Sequence, residues 1–195
     1  MALLFITDQA NFTPPSGARA DFIDWTRFPE REPLDFNGQP ELKGKTDVGQ
    51  LGFGLFIKNR HLARRTQDGG PSWDGSFSPG EALLFTDFTP GPLHIFFDAP
   101  IRGACVQLNV KDPVEHFRMG ISAFSGDARL NIPKSGTRTD GVTSNDGDGS
   151  APCIGVLEDN ASRPTITRIV ISVTVVDQSY KGDSSFAINK LKLFV

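Results

Sequence analysis

Between Ile166 and Val176 the chain reads ITRIVISVTVV, with Ile169, Ile171, Val173 and Val175 on one alternating face and Thr167 joining them. β-Branched side chains lose rotamer freedom against a helical turn but pack well on a pleated surface. Strict period two over this length therefore commits the segment to a strand, and a strand with one apolar face commits the chain to a second layer that covers it. Shorter runs of the same character recur at Leu51–Lys58, Ala82–Phe85, Leu93–Phe97, Ala104–Val110, Phe117–Phe124, Ile154–Leu157 and Phe186–Leu193. Between them stand turn clusters: Asp68-Gly69-Gly70-Pro71, Ser78-Pro79-Gly80, Thr89-Pro90-Gly91-Pro92, Asp98-Ala99-Pro100 and Ser125-Gly126-Asp127.

Two segments compete with this reading. Phe22, Trp25 and Phe28 are spaced three apart, which predicts a short helix that Pro29 ends within two turns. Val114–Phe124 has helical length, but Phe117, Met119, Ile121 and Ala123 alternate and Gly120 weakens a helix, so a strand is expected. Met1–Asp8 lacks the positive region and cleavage site of a secretory signal and reads as a first strand. Lys134–Ser150 is polar and predicts a long loop. With no internal repeat and no linker, residues 1–195 are expected to form a single β-sandwich domain. The fold class expected is all-β: an antiparallel sandwich of jelly-roll type with about ten strands and at most one or two short helical turns.

Composition narrows the partners. A hydrophobic fraction of 38% with 22% charged residues suits a folded soluble chain, and no run approaches the length of a membrane-spanning helix, so no membrane insertion is expected. Twenty Lys+Arg against 23 Asp+Glu leave a net charge of −3, without the basic footprint that nucleic-acid binding needs. The aromatic residues are 16 Phe, two Trp and one Tyr, a set that suits an interior.

The segment Ser72-Trp73-Asp74-Gly75-Ser76-Phe77-Ser78-Pro79-Gly80-Glu81-Ala82-Leu83-Leu84-Phe85-Thr86 resembles the W-(D/S)-G-N-F-x-x-G-D-x-L-L-x-T stretch of bacterial secreted and surface β-sandwich proteins of the PEP-CTERM-associated type. Further similarity lies in Gly91–Gly103, Cys153-Ile154-Gly155-Val156, Ile166–Val170 and Phe186-Ala187-Ile188-Asn189-Lys190-Leu191. The resemblance implies a jelly-roll module of the galactose-binding-like or carbohydrate-binding-like kind, extracellular or at the cell surface, and not an enzyme. No counterpart of the family's sorting tail follows Val195, so sorting and anchoring are not carried over. Asn189 stands where an Asp that helps hold structural calcium is common, which weakens calcium at that position.

Among candidate chemistries, the acidic residues Asp68, Asp74, Asp98 and Asp127 sit in turn clusters, where they cap turns rather than pair for glycoside hydrolysis. Three scattered histidines and two cysteines form no zinc-spacing motif, and no Gly-x-Ser-x-Gly elbow or nucleotide loop occurs. Gly52-Phe53-Gly54 marks a bulge or a close approach within a strand. Cys105 and Cys153 lie in apolar strand patterns, as free thiols or as one disulfide. The loop Thr139–Ser150 gathers hard oxygen ligands, with Asp146 and Asp148 as possible calcium ligands against a solvated loop. Trp73 and Trp25 are candidate sugar-stacking rings, Trp73 competing with a role as a plug at one end of the sandwich. Asp74 would accept sugar hydroxyls, and Tyr180, in a loop between the last two strands, is the exposed aromatic. The expected function is a non-catalytic, carbohydrate-binding-like module for a glycan or surface polymer. The alternative is a structural or adhesive subunit that forms homo-oligomers or larger assemblies.

Overall fold

The computed structural model describes every residue except 1–2, 31–32, 35, 37–38, 40, 59–60, 69–74, 87–90, 111–115, 133–137, 142–146, 160–162 and 176–184. The apolar runs become strands close to where alternation places them. In chain order these are β1 (Leu3–Ile6), β2 (Ala20–Ile23), β3 (Leu42–Lys45), β4 (Gly52–Phe56), β5 (Ala63–Thr66), β6 (Ala82–Phe85), β7 (Leu93–Ile101) and β8 (Gly103–Val110). There follow β9 (Phe117–Ser125), β10 (Ala128–Arg129), β11 (Arg138–Gly141), β12 (Cys153–Glu158), β13 (Ile166–Val175), β14 (Phe186–Ile188) and β15 (Leu191–Phe194).

The strands form two sheets, and every pairing between them is antiparallel among the described residues. One runs β1-β12-β8-β14-β6-β5, with β15 also on β8 and β2 on β15; the other runs β10-β9-β13-β7-β4-β3, with β11 on β9. The main core lies between them, built from Leu55, Ile95, Ile121, Ile169 and Ile171 of the second sheet against Leu84, Val106, Leu108, Ile154 and Val156 of the first. The protein is an antiparallel β-sandwich.

The two sheets differ in their outer faces. On the first, Ala63, Phe77, Leu83, Phe85, Ala151 and Ala187 form a second apolar cluster. Beside it Ile6, Phe12, Cys105, Cys153, Leu157 and Phe194 form a third. This sheet is therefore buried on both faces, and β6 and β12 are buried at every residue, as a doubly covered sheet requires. The second sheet keeps the in-out alternation of a strand with one face open, most plainly in the buried and half-buried residues of Leu93–Phe97.

The edges are tied by Asp21 of β2. Its carboxylate accepts from the Thr46 hydroxyl at 2.6 Å and from the amides of Val48 and Gly49 at 3.0 Å, all in the loop between β3 and β4. The edge hairpin of one sheet is thereby fixed to the edge strand of the other. A Cβ on Gly49 would stand 2.6 Å from the Asp21 carboxylate, so the loop needs glycine there.

Several expectations are corrected. The short helix expected from Phe22, Trp25 and Phe28 is confined to a single 3-10 turn, Trp25–Arg27, capped by the Asp24 side chain, and Ala20–Ile23 before it is strand. The polar stretch 134–150 contains a strand, β11, paired to β9. Phe186–Leu193 is two strands, because both halves pair with β8 and then diverge, β14 toward β6 and β15 toward β2. A register shift between Ile166 and Arg168 turns Ile166 into the core and leaves Thr167 half-buried, its hydroxyl accepting from Gly126 N at 2.8 Å. Asp98 lies within β7, not in a turn.

Candidate functional site

The open face of the second sheet carries residues that alternation alone assigned no role. Arg168 on β13 is paired in register with Phe96 on β7 and with Phe124 on β9. Its guanidinium carbon stands 5.5 Å from the Phe96 ring centroid and 4.1 Å from that of Phe124, a cation held between two π-faces. Two residues back along β7, the His94 ring stacks near Phe96 at 6.1 Å and meets Phe56 of β4 edge-on at 5.6 Å. Phe56, His94, Phe96 and Phe124, with Arg168 between the last two, thus form a row spanning β4, β7, β13 and β9, each ring half-buried rather than covered.

Several polar groups around this row have no ion-pair partner among the described residues. Among the described residues no carboxylate pairs with Arg168, and its Nε makes no hydrogen bond. At the β4 end, the Glu41 and Asp98 carboxylates lie over Gly54 and Gly52, where any Cβ would collide with them. The expected close approach at Gly52-Phe53-Gly54 is thus of two carboxylates over glycine backbone. At the far end Arg129 donates to the Ser122 hydroxyl at 3.0 Å. Burial, and then the Arg168 charge, hold the His94 pKa below its ordinary value, so at neutral pH it is an uncharged ring.

At the sandwich edge a cleft of about 270 Å³ is lined by Asp24, Thr26, Glu81 and Lys190. Lys190 pairs with Asp24 at 3.0 Å. Burial raises the Asp24 carboxyl, but the Thr26 and Lys190 contacts outweigh it and leave the pKa below its ordinary value. Asp24 is therefore held ionised, the opposite of the raised carboxyl that a general acid of glycoside hydrolysis needs. Glu81 has both oxygens engaged, one by Ser78 N at 3.0 Å and the other by Asn189 Nδ2 at 3.2 Å.

Asn189 interrupts the strand between β14 and β15 and acts as a hub. Its Oδ1 accepts from Gln107 N at 2.9 Å, its Nδ2 donates to Gln107 Oε1 at 2.7 Å, and its carbonyl accepts from the Trp25 indole N–H at 2.7 Å. The amide nitrogen faces oxygens that a cation would otherwise hold, so this position fits a hydrogen-bond node rather than a calcium ligand.

Trp25 is fully buried, which removes it as a sugar-stacking ring. Trp73, Asp74, Tyr180 and Asp146 lie outside the described residues. Asp148 is exposed, and its carboxylate accepts from Ser150 N at 2.9 Å, an Asx turn. The described part of Thr139–Ser150 supplies two carboxylates, Asp148 and Asp140, the latter paired with Arg118 at 2.7 Å, and no group of three metal-ligating side chains occurs among the described residues.

Sequence reasoning assigned the phenylalanines to the interior and so passed over Phe56, Phe96 and Phe124. The available signal was phase: His94 and Arg168 are titratable residues within strands rich in apolar side chains, and the residues two positions away or opposite them share their face.

No family model matches the chain, and no curated protein matches it. Its fold is similar to the crystal structure of a DUF4465 family protein from Bacteroides caccae ATCC 43185, with a TM-score of 0.52 at 10% sequence identity, covering 90% of this chain and 98% of that one. The likeness is one of β-sandwich architecture.

Proposed function

We propose that this protein is a non-catalytic glycan-recognition module that takes a polysaccharide chain across the open face of its second sheet. The row of half-exposed rings from Phe56 to Phe124, beside which Arg168, Glu41 and Asp98 form no ion pair among the described residues, carries the reading. Sugar C–H faces pack on aromatic rings. Adjacent hydroxyls take paired hydrogen bonds from a guanidinium or give them to a carboxylate. From β4 to β9 the row crosses three strand spacings, about 14 Å, the reach of an oligosaccharide rather than of one sugar. A secreted or cell-surface setting of the PEP-CTERM-associated type goes with this reading.

Affinity electrophoresis through gels containing a panel of polysaccharides tests it. At least one should retard the wild-type protein, and Phe96→Ala and Arg168→Ala should each weaken retardation by roughly tenfold or more, with melting temperatures close to wild type. Loss of binding in Tyr180→Ala or Trp73→Ala, with Phe96→Ala unaffected, would move the site to the loops. No retardation by any polysaccharide refutes the reading. The same half-apolar face favours a second reading, an assembly subunit that packs this sheet against a copy of itself; light scattering would then report a defined oligomer that Phe96→Ala dissociates.

A further inference from the structure

The third apolar cluster, on the sheet opposite the proposed glycan face, contains both cysteines. Cys105 on β8 faces Gly155 on β12, and Cys153 faces Gln107, so the two are diagonal neighbours. Diagonal partners ordinarily have Cα atoms about 7–8 Å apart, beyond the reach of a bridge. Here the sulfurs are 2.7 Å apart. A Cβ at Gly155 would stand 2.9 Å from the Cys105 Cβ and 2.7 Å from the Ala104 carbonyl, so the glycine leaves open the space beside Cys105 that a side chain would fill. Ile6, Phe12, Leu157 and Phe194 surround the pair, with the Phe12 and Phe194 rings stacked at 4.3 Å.

We propose that Cys105 and Cys153, free thiols in this structure, are a modification site that closes to an intramolecular disulfide by exchange with a low-molecular-weight disulfide. Cys153 is the attacking group, since it is 6% exposed where Cys105 is fully covered. Its thiolate displaces one thiolate from the small disulfide, giving a mixed disulfide, and the Cys153 proton leaves on the released thiol. Cys105 Sγ then attacks the Cys153 sulfur, the protein S–S bond forms, and the second small thiol departs with the Cys105 proton. Two protein thiols are oxidised and one small disulfide is reduced to two thiols. The Cys105–Cys153 hydrogen bond favours Cys153 as thiolate, as does the Lys192 charge, while the same bond and burial push the Cys105 thiol up.

The bridge spans 48 positions and encloses β9, β10 and β11, one flank of the second sheet. A loop of that size gives a large stabilisation on closure, expected as a rise in melting temperature of roughly 10 °C.

The test exposes the full-length protein to oxidised glutathione, then alkylates it in denaturant. Intact mass should show the loss of two hydrogens and no alkyl group, and peptide mapping should join Cys105 to Cys153. The oxidised form should melt roughly 10 °C above the reduced form, and Cys153→Ser should abolish that difference. Two alkylated cysteines, one retained glutathione, or a dimer joined between chains overturns the proposal. Because Cys153→Ser keeps a side chain of similar volume, a folded variant whose melting still responds to the oxidant overturns it too.

Discussion

Replacing Asp21 with alanine will lower stability by about 3–4 kcal/mol at neutral pH, read from the urea midpoint of unfolding. The side chain is 3% exposed and holds the Thr46 hydroxyl and the Val48 and Gly49 amides. Removing it strands those donors, and hydrogen bonds to an ionised group are the strong kind. The loss also releases the β3–β4 loop from the edge of the opposite sheet. Asp21→Asn keeps one acceptor but turns an N–H toward a neighbouring donor, so it should cost about 2 kcal/mol. Burial raises the Asp21 carboxyl, but the combined hydrogen bonds from Thr46, Val48, Phe22 and Gly49 outweigh it and hold the pKa below its ordinary value. A carboxylate depressed in the folded state stabilises fully above its unfolded pKa, about 4, and loses that contribution as pH falls through the folded value. The gap between wild type and Asp21→Asn should therefore be full at pH 7 and shrink below the carboxylate range. A gap unchanged in acid would show that charge at Asp21 does not hold the clasp.

Asn189→Ala is expected to cost about 3 kcal/mol, or roughly 6–12 °C in melting temperature. It leaves the Gln107 amide without its acceptor and Glu81 Oε1 without the Asn189 donor. Asn189→Asp should be at least as damaging at neutral pH. The new carboxylate would face Glu81 Oε1 and Gln107 Oε1. Gln107 is not free to turn its amide, because Nε2 already donates to the carbonyls of Gly149 and Ala151 at 2.8 and 2.9 Å. Thermal melts of the two variants, with and without calcium, check both claims. Asn189→Asp that matches wild type without added ions would contradict the hub.

The strands were legible because their signal is local. Ala82–Phe85 is strand over the same residues that its apolar run marks, and the β-branched run from Ile166 is strand to Val175. Trp25 was misread because spacing by three fits a helix, a 3-10 turn and a strand-to-turn junction alike. Asp24, which caps the turn, and Pro29 leave room only for the last two. The broken strand at Asn189 could not be read from its sequence, since a short apolar run followed by an alternating one is also what a single strand shows. The break arises where two neighbours, β6 and β2, diverge from one long strand.

The sequence by itself determined an all-β chain, the positions of most strands and the turns at Pro79-Gly80 and Gly126-Asp127, because side-chain period and turn chemistry act over a few residues. Only the tertiary structure decided which sheet is covered twice and which keeps an open face. Sixteen phenylalanines cannot announce their side of a sheet, because a Phe in a strand suits the core or an exposed row equally well, and pairing register settles which. Register sets Phe96 and Phe124 on either side of Arg168 and holds Cys105 against Gly155, within reach of Cys153. Both sites join residues far apart in the chain, and long-range pairing of that kind is a property of the assembled sandwich rather than of any segment.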